Sequence, residues 1–128
     1  MIQQKTAARI GRDKLQYLDE AFRSSRSVSE LTAELDFRRV DDLLGAIAKS
    51  LGLSAVNLES IEIDENLLVD FPAKLIHRFE VFPISENHGE IQLAVSNPFD
   101  FNAIDAVAAA TGKTITPVVT DPEQVRSL

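Results

Sequence analysis

The residues that could do chemistry are few in this chain, and each group has a simpler structural use. Gly112-Lys113-Thr114 is the candidate for a phosphate-binding loop, in which backbone N–H groups between a strand and the helix it opens cradle phosphate. That loop needs a glycine five residues earlier, and position 107 is Val. The order is also reversed, with a predicted helix before and a strand after, so Gly112 reads as a helix cap and Lys113 as a turn residue. His77 and His88 have no His or Cys nearby, whereas a zinc site takes three or four ligands at organised spacing. Ser85 and Ser96 lack the glycine elbow of a serine nucleophile. Asp41 and Asp42 are adjacent on a predicted helix, where neighbours do not face each other, so they make a charged face rather than an acid–base pair. Without cysteine there is no disulfide, thiolate metal site or cysteine nucleophile. The expectation is a segment with no catalytic residue, no cofactor and no metal.

With 128 residues the chain has room for one domain or two small subdomains and a real core. Its 45% apolar and 26% charged residues are ordinary for a soluble globular protein, and no apolar run approaches the roughly 20 residues of a membrane span. The opening MIQQKTAARIGRDK has no secretory segment, so a cytoplasmic location without direct membrane insertion is expected. The net charge of -7 is unevenly placed: nine Lys/Arg face eight Asp/Glu in residues 1–53, and four face twelve in residues 54–128. An acidic second half disfavours contact with nucleic acid phosphates or anionic headgroups, so no nucleic acid partner is expected.

Three helices must carry the first half. Residues 12–24 space Leu15, Leu18, Ala21 and Phe22 as one apolar stripe. Ser27 and Glu30 form a capping box opening a short helix that turns Leu31 and Leu35 inward. Residues 39–51 align Val40, Leu43, Leu44, Ile47, Ala48 and Leu51, with Gly52 just past the end. Residues 1–53 are therefore read as a helical subdomain and residues 54–128 as an α/β subdomain packed against it. Residues 55–58 suggest a strand, and residues 59–70 a loop and a helical turn. Residues 114–120 are β-rich, with Pro117 implying an edge strand or a bulge. Asp121-Pro122-Glu123 opens a last helix, cut after about two turns, so the chain reads as the front piece of something longer.

The densest pattern lies in residues 71–112. Phe71-Pro72 opens a short helix with proline at its first position. From Phe79 the spacing alternates, with Phe79, Val81 and Pro83 opposite Glu80, Phe82 and Ile84. Asn87-His88-Gly89 reverses the chain into a second strand with Ile91, Leu93 and Val95 on one apolar face. After Asn97-Pro98, Asp100 caps a helix carrying Ile104, Val107 and Ala108 inward and ending at Gly112. This run resembles the N-terminal domain of the type II secretion and type IV pilus assembly ATPases. The resemblance rests on the order and spacing of Phe71-Pro72-Ala73, the strand from Phe79 to Ile84, His88-Gly89, Leu93 to Pro98, and Asp100 to Asp105. It implies a non-catalytic docking module at the front of a hexameric motor, using ATP only through an absent motor domain. The implied partner is the cytoplasmic part of an inner-membrane platform protein, through which the domain would associate peripherally with that membrane.

In some members of that family the same region binds cyclic di-GMP through two copies of an R-L-G-x-x-L-x-x-x-G-like motif. Arg9-Ile10-Gly11 resembles the first copy, but its later glycine position is Leu18. The second copy places Ser27 at the arginine, Ser29 at the first glycine and Asp36 at the second, where an anion repels the ligand. Cyclic di-GMP sensing is therefore the alternative to partner docking. A stand-alone domain of this fold attached to signalling modules is a third. The candidate partner-binding residues are Phe37, Arg38 and Arg39, an aromatic beside two arginines at a helix start, and Arg12 and Arg23 on the first helix. Phe37 also fits a hydrophobic staple. The expected fold is α+β: a helical layer, then a small, mostly antiparallel sheet with helices on one face.

Overall fold

The computed structural model describes residues 10–127. The helical layer comprises α1 (Arg12–Arg23), α2 (Val28–Glu34) and α3 (Val40–Leu51). It is followed by β1 (Ser54–Ala55), α4 (Leu67–Asp70), α5 (Ala73–Phe79), β2 (Val81–Asn87), β3 (Glu90–Val95), α6 (Phe101–Thr111), β4 (Thr114–Val119) and α7 (Pro122–Arg126). The architecture is α+β.

Several helix ends are set by the chemistry the sequence supplies. The Ser27 hydroxyl accepts from the Glu30 N–H at 3.4 Å to start α2, and the Asp100 carboxylate accepts from the Ala103 N–H at 3.1 Å to start α6. Gly52 and Gly112, with φ of 72° and 70°, end α3 and α6 in the left-handed conformation that glycine adopts without steric penalty. Leu18, Phe22, Leu31, Leu43, Leu44 and Ile47 close the core between α1, α2 and α3.

The sheet order is β1-β4-β3-β2, and its sense corrects the antiparallel expectation. Only β2 and β3 pair antiparallel, whereas β3 with β4 and β4 with β1 are parallel. For β3 and β4 the reason is α6: a helix joining two neighbouring strands returns the chain to the end it started from, so the strands run the same way. Hairpin alternation reveals the one local pairing and says nothing of the other two.

One face carries Val81, Ile91, Leu93 and Val95 beneath Ile104 and Val107 of α6. The other face is also closed, against the one-sided expectation: Phe82, Ile84, Ala94 and Val118 pack on Leu58 and on Val125 of α7. Two boundaries shift as well. Phe79 ends α5 and Glu80 caps it with φ 53°, so β2 begins at Val81; Pro72 occupies the N-cap of α5 rather than its first turn. The hairpin turns on His88 and Gly89, both at positive φ, the backbone of a two-residue turn that matches strand twist. Pro117 lies in β4, which is interior by strand order, yet β1 pairs only with Val118 and Val119. The Val119 carbonyl faces β1 and accepts from the Val56 N–H, and residue 117, two earlier, points the same way. The missing Pro117 N–H therefore points past the end of β1 and takes no bond from β3.

Phe99 and Val119 leave the sheet half to enter the helical core, and the Phe22 and Phe99 rings meet edge to face at 5.8 Å and 76°. Phe99→Ala is expected to destabilise the chain by about 3–5 kcal/mol, read as a lower urea midpoint in one cooperative transition. An unchanged midpoint would show that the helical layer does not depend on this contact.

Candidate docking surface

The predicted partner-binding residues fall in three places. Phe37 is half-buried and packs on the helical core, with its N–H donating to the Thr32 carbonyl at 2.8 Å. Asp36 before it is left-handed, with φ 66°, so the turn after α2 folds Phe37 inward onto the core, two residues ahead of the cap of α3 and one short of the N′ position that a hydrophobic staple uses. Arg38 is exposed, and Arg39 is the N-cap of α3 without a side-chain capping bond. The Arg39 side chain is 72% exposed and reaches Asp42 at 3.4 Å. Arg12, also exposed, does not join them. The Ile10 N–H donates to Ser50 Oγ at 2.8 Å, which sets the start of α1 beside the end of α3, and Arg39 lies at the other end of that 12-residue helix, about 18 Å away. Arg9 of the motif-like Arg9-Ile10-Gly11 lies outside the described residues.

Arg23 belongs to a third place, a cleft of about 400 Å³ between the helical layer and the sheet half. The turn after α1 supplies Arg26 to this cleft, α5 supplies Arg78, α7 supplies Arg126, and Ser96 and Asn97 form its wall beyond β3. Arg23 Nε donates to Asp19 at 2.7 Å and Arg126 Nε to Glu80 at 3.1 Å. The Arg78 guanidinium lies over the Phe79 ring at 5.3 Å. Sequence inspection misses Arg78, Arg126 and Ser96, because isolated residues 18 to 48 positions apart carry no shared pattern until the fold collects them. A second cavity, of about 540 Å³, has Leu67, Phe71 and Ile91 among its apolar lining and Asp64, Asp70, Glu86, His88 and Lys113 among its polar lining. Lys113 pairs with Glu86, and Gly112 caps α6, so the Gly-Lys-Thr run is used structurally. Among the described residues no group of three or more His, Cys, Asp or Glu is placed to hold a metal ion, and no helix is long and apolar enough to cross a membrane.

Residues 51–128 match the MshEN domain. The chain belongs to the MshEN domain family. This is the N-terminal domain of type II secretion and type IV pilus assembly ATPases, in agreement with the sequence resemblance. The matched span begins at the end of α3, whereas the fold likeness extends over the helical layer. MshE, solved with cdg, superposes with a TM-score of 0.67 at 20% identity, covering 92% of this chain and 86% of that one. The N-terminal domain of XpsE gives 0.58 at 23% identity over 92% and 83% of the two chains. A second crystal form of that domain gives 0.54 at 25% identity over 77% and 69%. No curated protein matches the chain by sequence.

In this MshEN domain the helical layer is also held from outside. Arg26 donates to the Tyr17 hydroxyl and, at 3.2 Å, to Glu34, while Tyr17 donates to the other Glu34 oxygen, closing a ring of bonds between α1 and α2. The Tyr17 hydroxyl and then the Arg26 guanidinium hold the Glu34 carboxyl below its ordinary value of 4.5, and Glu34 and then Tyr17 hold the Arg26 pKa above its ordinary value. Because the folded value of Glu34 is depressed, its stabilisation is complete above the unfolded value and is lost as pH falls through the folded one. Melting temperature should therefore fall less for Glu34→Gln than for the unmodified chain as pH is lowered from 5.5 to about 3. Parallel pH curves would remove Glu34 from the acid response.

Proposed function

We propose that this MshEN domain is a non-catalytic docking and regulatory module, binding the cytoplasmic part of an inner-membrane platform protein and coupling it to a motor domain elsewhere in the ATPase. One observation carries the choice of surface. Arg38 and Arg39 stand exposed where α3 begins, and cations there oppose the helix dipole by a few tenths of a kcal/mol. Phe37, not the arginines, makes the apolar contact with the core at this helix start, and Asp42 only partly offsets Arg39. Solvated arginines that work against their own helix are well placed to meet carboxylates or carbonyls of a partner. In this reading the platform protein brings the domain to the inner membrane.

Cyclic di-GMP sensing is the second reading, and the structure of MshE with cdg favours it. Against it stand the side chains. Leu18, at a glycine position of the motif, is fully buried in the helical core, and Ser27, at an arginine position, caps α2. Asp36 keeps the left-handed backbone that a glycine would supply while reversing the attraction for phosphate.

Arg38→Glu with Arg39→Glu should weaken a pull-down of the platform protein about tenfold or more and leave the melting temperature within a few degrees. A pull-down that survives the double variant discards this surface. Calorimetric titration with cyclic di-GMP is expected to give no heat of binding at micromolar concentration, and a micromolar isotherm would replace docking by sensing as the leading function.

A further inference from the structure

The cleft between the two halves gathers four of the eight arginines of a chain whose net charge is -7. They arrive from α1 and its turn, from α5 and from α7; Glu80 and Asp100 line the cleft with them, and Asp19, Glu30 and Glu34 pair with Arg23 and Arg26 from outside its lining. Asp100 is engaged in capping α6 and Glu80 in holding Arg126. The guanidinium groups still have donors to offer. Arg23 and Arg126 each use Nε for their own carboxylate, which leaves both terminal NH2 groups of each for another acceptor. These are half-exposed pairs, weak enough for an incoming carboxylate to share or displace. Arg78 has no carboxylate within ion-pair distance among the described residues, and its position over Phe79 holds the fork in place. Ser96 is only 8% exposed, lines the cleft, and its hydroxyl makes no hydrogen bond among the described residues. That hydroxyl is open to the solvent of the cleft and free to donate to a ligand.

Donors in excess of acceptors, distributed over three elements, select a ligand with several separated oxyanions. We propose that this cleft seats a carboxylate-rich segment of a protein partner, with Arg23, Arg78 and Arg126 taking the carboxylates and Ser96 completing one of them. A nucleotide fits less well, because its bases need open aromatic faces and the cleft has none. Phe22 is engaged edge to face with Phe99, and Phe79 is covered by Arg78. Phe101, next in sequence to the lining residue Asp100, is 57% exposed and offers an aromatic contact to a chain leaving the cleft. The inference rests on the reading of this domain as a docking module and adds the chemistry of one contact.

The probe is a short fluorescein-labelled peptide of alternating Asp and Glu, followed by anisotropy, with its Asn and Gln counterpart as control. Saturable binding is expected for the acidic peptide alone, weakening about tenfold in Arg78→Glu with Arg126→Glu and steeply with added salt. Arg38→Glu with Arg39→Glu should change it by less than about twofold. Should the cleft variant melt early, Arg78→Gln alone, which breaks no ion pair, is expected to weaken binding by about threefold. Absence of saturable binding, equal affinity in the cleft variants, or displacement of the peptide by cyclic di-GMP overturns the assignment. Failure here with an intact platform pull-down removes the cleft only. Loss of the pull-down by the unmodified chain removes docking itself.

Discussion

Phe99 and Val119 are buried among the leucines of the helical layer, and that junction is the constraint on which the remaining structure depends. The helical layer does not close its core alone. The helices α1, α2 and α3 enclose an apolar stripe whose open side is filled by Phe99, and the end of β4 is covered by α3 through Val119. Because both residues lie at chain positions just beyond or at the ends of strands, the junction fixes where β3 and β4 stop relative to α1. The cleft is a consequence of the same geometry. Its two walls belong to different halves, so the separation of Arg23 from Arg78 and Arg126 is set by the packing beneath it.

Local structure is legible in the sequence wherever a backbone requirement selects a side chain. Ser27, Asp100 and Asp121 accept from helix-start N–H groups, and Gly52 and Gly112 stop their helices. The hairpin is legible because alternation and a two-residue turn are both local. Strand order is not, since the parallel pairings join residues separated by a helix, and their register depends on how α6 seats over the sheet. Pro117 illustrates the limit. Its edge-like chemistry is readable, but that the edge is the uncovered part of an otherwise interior strand follows only from the shortness of β1.

Site residues divide along the same line. Arg38 and Arg39 attract notice because they are adjacent and stand against a helix dipole, a conflict visible without coordinates. Phe37 illustrates the opposite case, an aromatic beside arginines whose ring proves to be half-buried on the core. Arg78, Arg126 and Ser96 have no local signal at all, being ordinary residues on three separate elements that acquire a common role when the halves pack. The fold is therefore readable from short-range rules, and the cleft only from their three-dimensional sum.

The charge split of the chain gains meaning from this arrangement. The second half carries a large acidic excess, yet two of its four cationic residues, Arg78 and Arg126, line a cavity shared with the near-neutral helical half. If charge served solubility alone, the few cations of that half would be dispersed among its twelve carboxylates, where each would gain from many weak attractions. Concentrating them opposite Arg23 and Arg26 instead sacrifices that gain and raises mutual repulsion in a recess of lower dielectric. Asp19, Glu34 and Glu80 relieve part of it through Arg23, Arg26 and Arg126, and the Phe79 ring relieves part through Arg78. The free donors of Arg23, Arg78 and Arg126 face solvent between two halves of the fold, a local group of cations on an acidic chain that an acidic docking segment can engage.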